Sequence, residues 1–247
     1  PIAGSFISFE INRWPTDIGR IEDNIEGTEN LTEEFIASLG SSSKGISAIE
    51  YLIFSPSGNT EILTQFTTDE NATRRKEYLL ALCENLQSKS LTLKSLWETN
   101  EESFINAVET GISGSQNQLV NAMVALIEET LKTKLGAPLG DKNGGTVDPL
   151  ELEAYYSAFS KDILRQQLMS LQYIFTWDFG QSSTQIGFDD LLIFRDHKNI
   201  ADKIEAQFSD CQDKLDAIPG TLRDNFVAKE QEVIAVRDSF RDLLVLI

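Results

Sequence analysis

The sequence predicts an all-α protein built as two packed helical-bundle lobes. Three observations carry that prediction. Apolar residues recur at helical spacing nearly throughout, and no segment alternates with period two over a strand length. A glycine- and serine-bearing joint, Thr110-Gly111-Ile112-Ser113-Gly114, separates two strongly periodic stretches. The first lobe is placed at residues 1–112 and the second at 113–247, an ordinary division for a chain of 247 residues.

In the first lobe, Trp14-Pro15 opens a helix with Ile18, Ile21 and Ile25 on its apolar side and Gly27 past its end. Asn30 with Glu33 three residues on reads as a capping box for a short helix through Leu39. Ser41-Ser42-Ser43 is a polar joint. An apolar helix then runs from Gly45 to Phe54 and is stopped by Pro56. A long helix from about Asp69 directs Tyr78, Leu79, Leu82, Cys83, Leu86, Leu93 and Trp97 toward a core.

The second lobe begins with a helix presenting Leu119, Met123, Leu126, Ile127, Leu131 and Leu135, ended by Gly136. A loop from Ala137 to Val147 comes next, closed by Asp148-Pro149 as an N-cap with proline at the first helical position. Helices are predicted around Asp162 to Thr176 and Phe188 to Phe194, then along Ile200, Ile204, Phe208, Cys211 and Leu215. After the Pro219-Gly220 turn, one last helix runs from about Leu222 to the end.

Composition excludes several functions. With 39 acidic residues against 21 basic and a net charge of −18, both halves of the chain are acidic and would be repelled by nucleic-acid phosphates. No run approaches the roughly 18 consecutive apolar residues of a membrane-spanning helix. Cys83 and Cys211 are too few for a disulfide framework. The single histidine, His197, means that any metal would rest mainly on carboxylates, whereas zinc and non-haem iron sites take several imidazoles or thiolates. A glycine-rich phosphate cradle is not predicted, because Gly140, Gly144 and Gly145 follow a helix and lack a Gly-Lys-Ser/Thr ending. Residue 1 is Pro and the chain stops inside the apolar run Leu243 to Ile247, so the sequence reads as trimmed.

Chemistry concentrates in Lys44-Gly45-Ile46-Ser47-Ala48-Ile49-Glu50-Tyr51. Ser47 and Glu50 lie three apart and share one helical face, with Ile46, Ile49 and Ile53 on an adjoining apolar face. A carboxylate set into an apolar helix either closes a buried polar network or forms a site. Asp17 and Arg20, also three apart, read as a structural ion pair or as a polar rim to the same site as Glu50. Glu153, Ser157 and Ser160 line an opposing wall in one reading, and Ser160 with Asp162 caps a helix in the other. His197 reads as an exposed connector.

The Gly45-to-Glu50 segment resembles the Gly-x-His-x-x-Glu motif of the imelysin-like family, also classed among metallopeptidases, with Ser47 where the histidine belongs. Trp14-Pro15 with Asp17 and Arg20 resembles the family's Trp-Pro-x-Asp approach, and Arg74-Arg75 through Tyr78 to Trp97 resembles the helix after the motif. Lys134-Leu135-Gly136-Ala137-Pro138-Leu139-Gly140, then Asp148-Pro149, Glu153, Tyr156-Ser157 and Ser160, resembles the start of the second lobe. The resemblance implies two helical lobes with a site in the cleft between them. It further implies a periplasmic or envelope location, often with a lipid anchor upstream, and an association with bacterial iron uptake. In the family's intact motif the His and Glu on one face are suspected metal ligands. Ser47 offers only a neutral hydroxyl, which leaves Glu50 as the one motif candidate for iron or zinc. Family chains also carry helices before the Trp-Pro segment, which implies a first lobe incomplete at its N-terminus.

The expectation is therefore a non-catalytic extracytoplasmic protein that binds a ligand or an envelope protein through Trp14, Asp17, Arg20, Ser47, Glu50, Glu153 and Ser157. The alternatives are a helical protein-interaction scaffold and a metallopeptidase. The last needs a metal-activated water and a general base, for which neither a His pair nor a His-Glu-x-x-His helix is present.

Overall fold

A computed structural model describes residues 7–54, 58–109, 111–178 and 186–247. Among them the chain is all-α, with twelve α-helices and no strand. It divides into two compact units, Pro1–Val108 and Glu109–Ile247. Pro56 and Thr110 lie outside the described residues.

The N-terminal unit contains α1 (Ile7–Ile11), α2 (Ile18–Glu26), α3 (Glu33–Ser38), α4 (Gly45–Ile53), α5 (Asn59–Thr67) and α6 (Ala72–Asn106). The long α6 is the spine on which the other five pack. Its core is small: Ile21 and Ile25 of α2, Ile36 of α3, Ala48 and Leu52 of α4, and Tyr78, Ala81 and Leu82 of α6. Ile18, expected on the apolar side of α2, is exposed in the first turn. Burial along α6 ends at Asn85, so Leu93 and Trp97 face solvent, and Cys83 lies on the outer side of the buried half, all contrary to expectation. The positions facing inward there include Arg75 and Asn85, polar residues that an apolar stripe does not reveal.

Caps also differ from the sequence reading. Thr32, not Asn30, opens α3, its hydroxyl accepting the Phe35 N–H. Asp17 opens α2, its carboxylate accepting the Arg20 N–H at 3.0 Å. The Asp17–Arg20 relation is thus a cap, and among the described residues no ion pair joins the two side chains. Ser41–Ser43 forms a 3₁₀ turn in which Ser43 is buried.

The C-terminal unit contains α7 (Ser115–Glu129), α8 (Ser160–Thr176), α9 (Phe188–Phe194), α10 (Lys198–Ala217), α11 (Leu222–Asn225) and α12 (Glu230–Leu246). The α10 helix packs on α8, α9 and α12, burying Phe175, Phe208, Cys211, Leu215, Val236 and Phe240. Directly after α7 the chain continues as a π-helical segment, Thr130–Leu135, which the 3.6-residue periodicity does not distinguish from α-helix. Asp148 caps as expected, but it opens only a short 3₁₀ turn, Pro149–Glu151. At Gly140 the backbone has φ +94, and a Cβ would lie 2.5 Å from the Gly145 carbonyl carbon, so a larger residue cannot close this loop. Ser160 does not cap α8; its hydroxyl donates to the Glu153 carbonyl at 2.5 Å. The final predicted helix is two, α11 and α12. At the end of α11 the Asn225 carboxamide donates back to the carbonyls of Pro219 and Thr221, pinning the turn that precedes α11.

Candidate functional site

The site-bearing helix α4 begins at a glycine for two reasons. Gly45 has φ +77, and a Cβ there would sit 2.3 Å from the Ile11 carbonyl oxygen, so the end of α1 is pressed directly against the start of α4. That approach brings the residue after α1 into reach: Ser47 donates its hydroxyl hydrogen to Asn12 Oδ1 at 2.8 Å. The two faces read from the sequence differ in burial, with Ile49 half-buried at their border. Ile46 and Ile53 are exposed at 48% and 42%, while Gly45, Ser47, Ala48, Glu50 and Leu52 are buried. Ser47 and Glu50 therefore occupy the inward side together with Ala48 and Leu52. Counting isoleucines cannot anticipate this, because polar partners from other helices make the inward face tolerable.

Those partners surround α4. Lys44, buried at the helix start, contacts Glu10 at 2.9 Å and donates to the Ala37 carbonyl, and Lys89 reaches the same Glu10 oxygen at 3.1 Å. Partial burial pushes the Glu10 carboxyl up, but the hydrogen bonds and charges of the two lysines outweigh it and hold it below the usual glutamate range. Glu22 accepts from the Tyr51 hydroxyl and from Arg75, both at 2.6 Å. Tyr78 donates to the Ser43 carbonyl at 2.9 Å and accepts from Asn24. Burial, against the Asn24 hydrogen bond and with a contribution from the Asp17 charge, raises its hydroxyl to about 12.

The Trp-Pro segment is tied to the entrance of this helix. Thr16 Oγ1 and the Asp17 N–H both donate to the Ser42 carbonyl at 2.8 Å, placing the segment against the turn that precedes α4. Trp14 is half-buried, whereas Asp17 and Arg20 are exposed.

Glu153 and Ser157 belong to the C-terminal unit. Glu153 is buried and paired with Lys134 of the π-helical segment, which is itself buried. Half-buried Ser157 donates to the Ala154 carbonyl at 3.4 Å. Sequence reasoning did not single out Lys134. A lysine at helical spacing normally reads as solvated, and only the buried carboxylate opposite explains it. Asn12 and Glu10 were likewise missed, since nothing local marks them, and Lys44, though inside the segment singled out, was given no role. His197 is exposed at the start of α10, as expected.

For a resident zinc or iron the donor set around α4 does not fit. Ser47 spends its hydroxyl hydrogen on Asn12, Glu50 is a single carboxylate, and among the described residues no three His, Cys, Asp or Glu gather into a ligand group. Nor, among the described residues, is any helix long and apolar enough to cross a membrane.

These features define an all-α protein whose glycine-initiated helix carries a buried serine and glutamate. The chain belongs to the Imelysin family (Peptidase M75), whose sequence model matches residues 1–245. It is similar to the crystal structure of a protein from Parabacteroides distasonis ATCC 8503 provisionally named iron-regulated protein A precursor. The TM-score is 0.72 at 17% identity, over 97% of this chain and 73% of the other. No curated protein matches the chain.

Proposed function

We propose that this chain is a non-catalytic, extracytoplasmic binding protein of bacterial iron uptake, in which the Ser47–Glu50 face of α4 survives as a ligand-recognition element. The observation that carries the reading is the inward placement of Ser47 and Glu50, on a helix whose outward face holds Ile46 and Ile53. A carboxylate retained in a buried position without an imidazole beside it suits recognition by hydrogen bonding better than hydrolysis, which needs a metal-activated water. Trp14, Asp17 and Arg20, in the same unit, supply the neighbouring rim. The iron connection draws on the family and on the name of the P. distasonis protein.

Titrating the purified chain and a Glu50→Ala variant with ferric, ferrous and zinc ions tests the site. Weak binding that is the same in both proteins agrees with the reading. Tight stoichiometric binding lost in the variant contradicts it and restores a metal centre. Fractionating source cells grown with and without an iron chelator tests the setting: the protein should rise in the envelope or periplasmic fraction under starvation, and a constant cytoplasmic level counts against it.

One observation favours a second reading, an interaction scaffold. Leu91, Leu93, Trp97 and Ile105 are exposed along the second half of α6. A stoichiometric envelope partner, lost on Trp97→Glu with no bound small ligand, would select it.

A further inference from the structure

The C-terminal unit contains a cavity of about 370 Å³ that the α4 site does not use, within the range typical of small-molecule pockets. Its floor is apolar, formed by core residues such as Met123, Phe175 and Ile204. Its polar lining consists of Gln116, Arg195 and His197. No aspartate or glutamate is among its lining residues, in a chain where acidic residues outnumber basic ones 39 to 21, and Leu246 and Ile247 at the end of the sequence complete the lining. Asp196 lies between the two basic residues in sequence but is exposed and outside the lining.

A second hollow of about 140 Å³ shares Gln116, Phe188 and Leu191 with the first and continues past Ile174, Trp177 and Ile186. The two make one trough with Arg195 and His197 lining only the larger part. Among the described residues Arg195 makes no ion pair, so its guanidinium is available to an incoming anion. We infer that this trough binds a long-chain amphiphile with an anionic head of the carboxylate class. The alkyl chain lies along the apolar floor, and the head meets Arg195 and His197. Burial of the chain drives binding, and the charged end sets its direction.

Calorimetric titration of the whole chain with dodecanoate and with dodecanol, both below micellar concentration, tests the inference without reference to α4. Dodecanoate should bind one to one, and the alcohol about threefold to fivefold more weakly, as suits an exposed cation. Arg195→Gln should erase that difference. Leu191→Glu, at a position 38% exposed where the fold tolerates charge, should weaken both ligands by about tenfold or more with an unchanged helical circular-dichroism spectrum. Four results would overturn the inference: no dodecanoate binding, equal affinity for acid and alcohol, binding undiminished in folded Leu191→Glu, or a photo-crosslinker at position 191 capturing polypeptide.

Discussion

The two units of this molecule are held together by different means. The C-terminal unit buries more than twice as many apolar side chains as the N-terminal unit among the described residues, gathered on α10 and its neighbours. The N-terminal unit compensates with hydrogen-bonded polar groups: Lys44 and Lys89 on Glu10, Tyr51 and Arg75 on Glu22, and Arg74 on the carbonyls of Asn24, Ile25 and Glu29. Arg74 thereby satisfies carbonyls at the end of α2, where helix geometry leaves them without partners. A small core with many directional bonds is specific in geometry but sensitive to the loss of single partners. That is the environment in which α4 holds Ser47 and Glu50.

Substitutions in both units would break or sharpen this contrast. Phe208→Ala, in the centre of the apolar core, should cost about 3–5 kcal/mol, measured by denaturant unfolding, with loss of hydrogen-exchange protection centred on α10. Gly45→Ala should cost roughly 2–4 kcal/mol, because the added methyl meets the Ile11 carbonyl and φ +77 strains any other residue. A smaller effect would mean that α1 and α4 separate easily. Arg75→Met should cost about 2–3 kcal/mol by removing a nearly buried guanidinium from Glu22, whose other oxygen accepts from Tyr51, and Glu22→Gln in that background should recover part of it.

Tyr78→Phe should cost about 1 kcal/mol at neutral pH. The same residue sets an alkaline limit. Its folded-state pKa of about 12 lies above the unfolded value, so the protonated hydroxyl's contribution is fully present below about pH 10 and is lost as pH rises toward 12. Glu10 works in the opposite sense: its lowered folded pKa adds stability above the ordinary glutamate value, lost as pH falls through the folded one. Unfolding curves of Tyr78→Phe and Glu10→Gln should therefore flatten the alkaline and acid limbs respectively.

The same contrast explains what was legible in the sequence. In the C-terminal unit, apolar spacing located α9 and most of α8 and α10, with Phe208, Cys211 and Leu215 buried as expected, because hydrophobic burial is what that spacing reports. It could not show the π-helical turn, whose residues keep an apolar rhythm, or the break that parts α11 from α12. In the N-terminal unit the bounds of α4 were readable but its orientation was not. Asn12 is 35 residues from Ser47, and no local pattern announces that α1 supplies it. Likewise Asn30 looked like a cap, yet Thr32 has its hydroxyl within reach of the Phe35 N–H. Ser47 and Glu50 stood out by their spacing in an apolar helix, resemblance added Gly45 and the motif, and the structure adds why the glycine is needed.

Zinc titration of a Ser47→His variant beside the unaltered chain is the sharpest test of the central claim, that a neutral hydroxyl at position 47 disables a metal-binding face whose carboxylate is still in place. With helical content and melting unchanged, the variant should bind zinc about tenfold or more tightly than the parent, and Glu50→Gln added to it should remove the gain. A correctly folded variant no better than the parent, or a parent that already binds tightly through Glu50, would contradict the account.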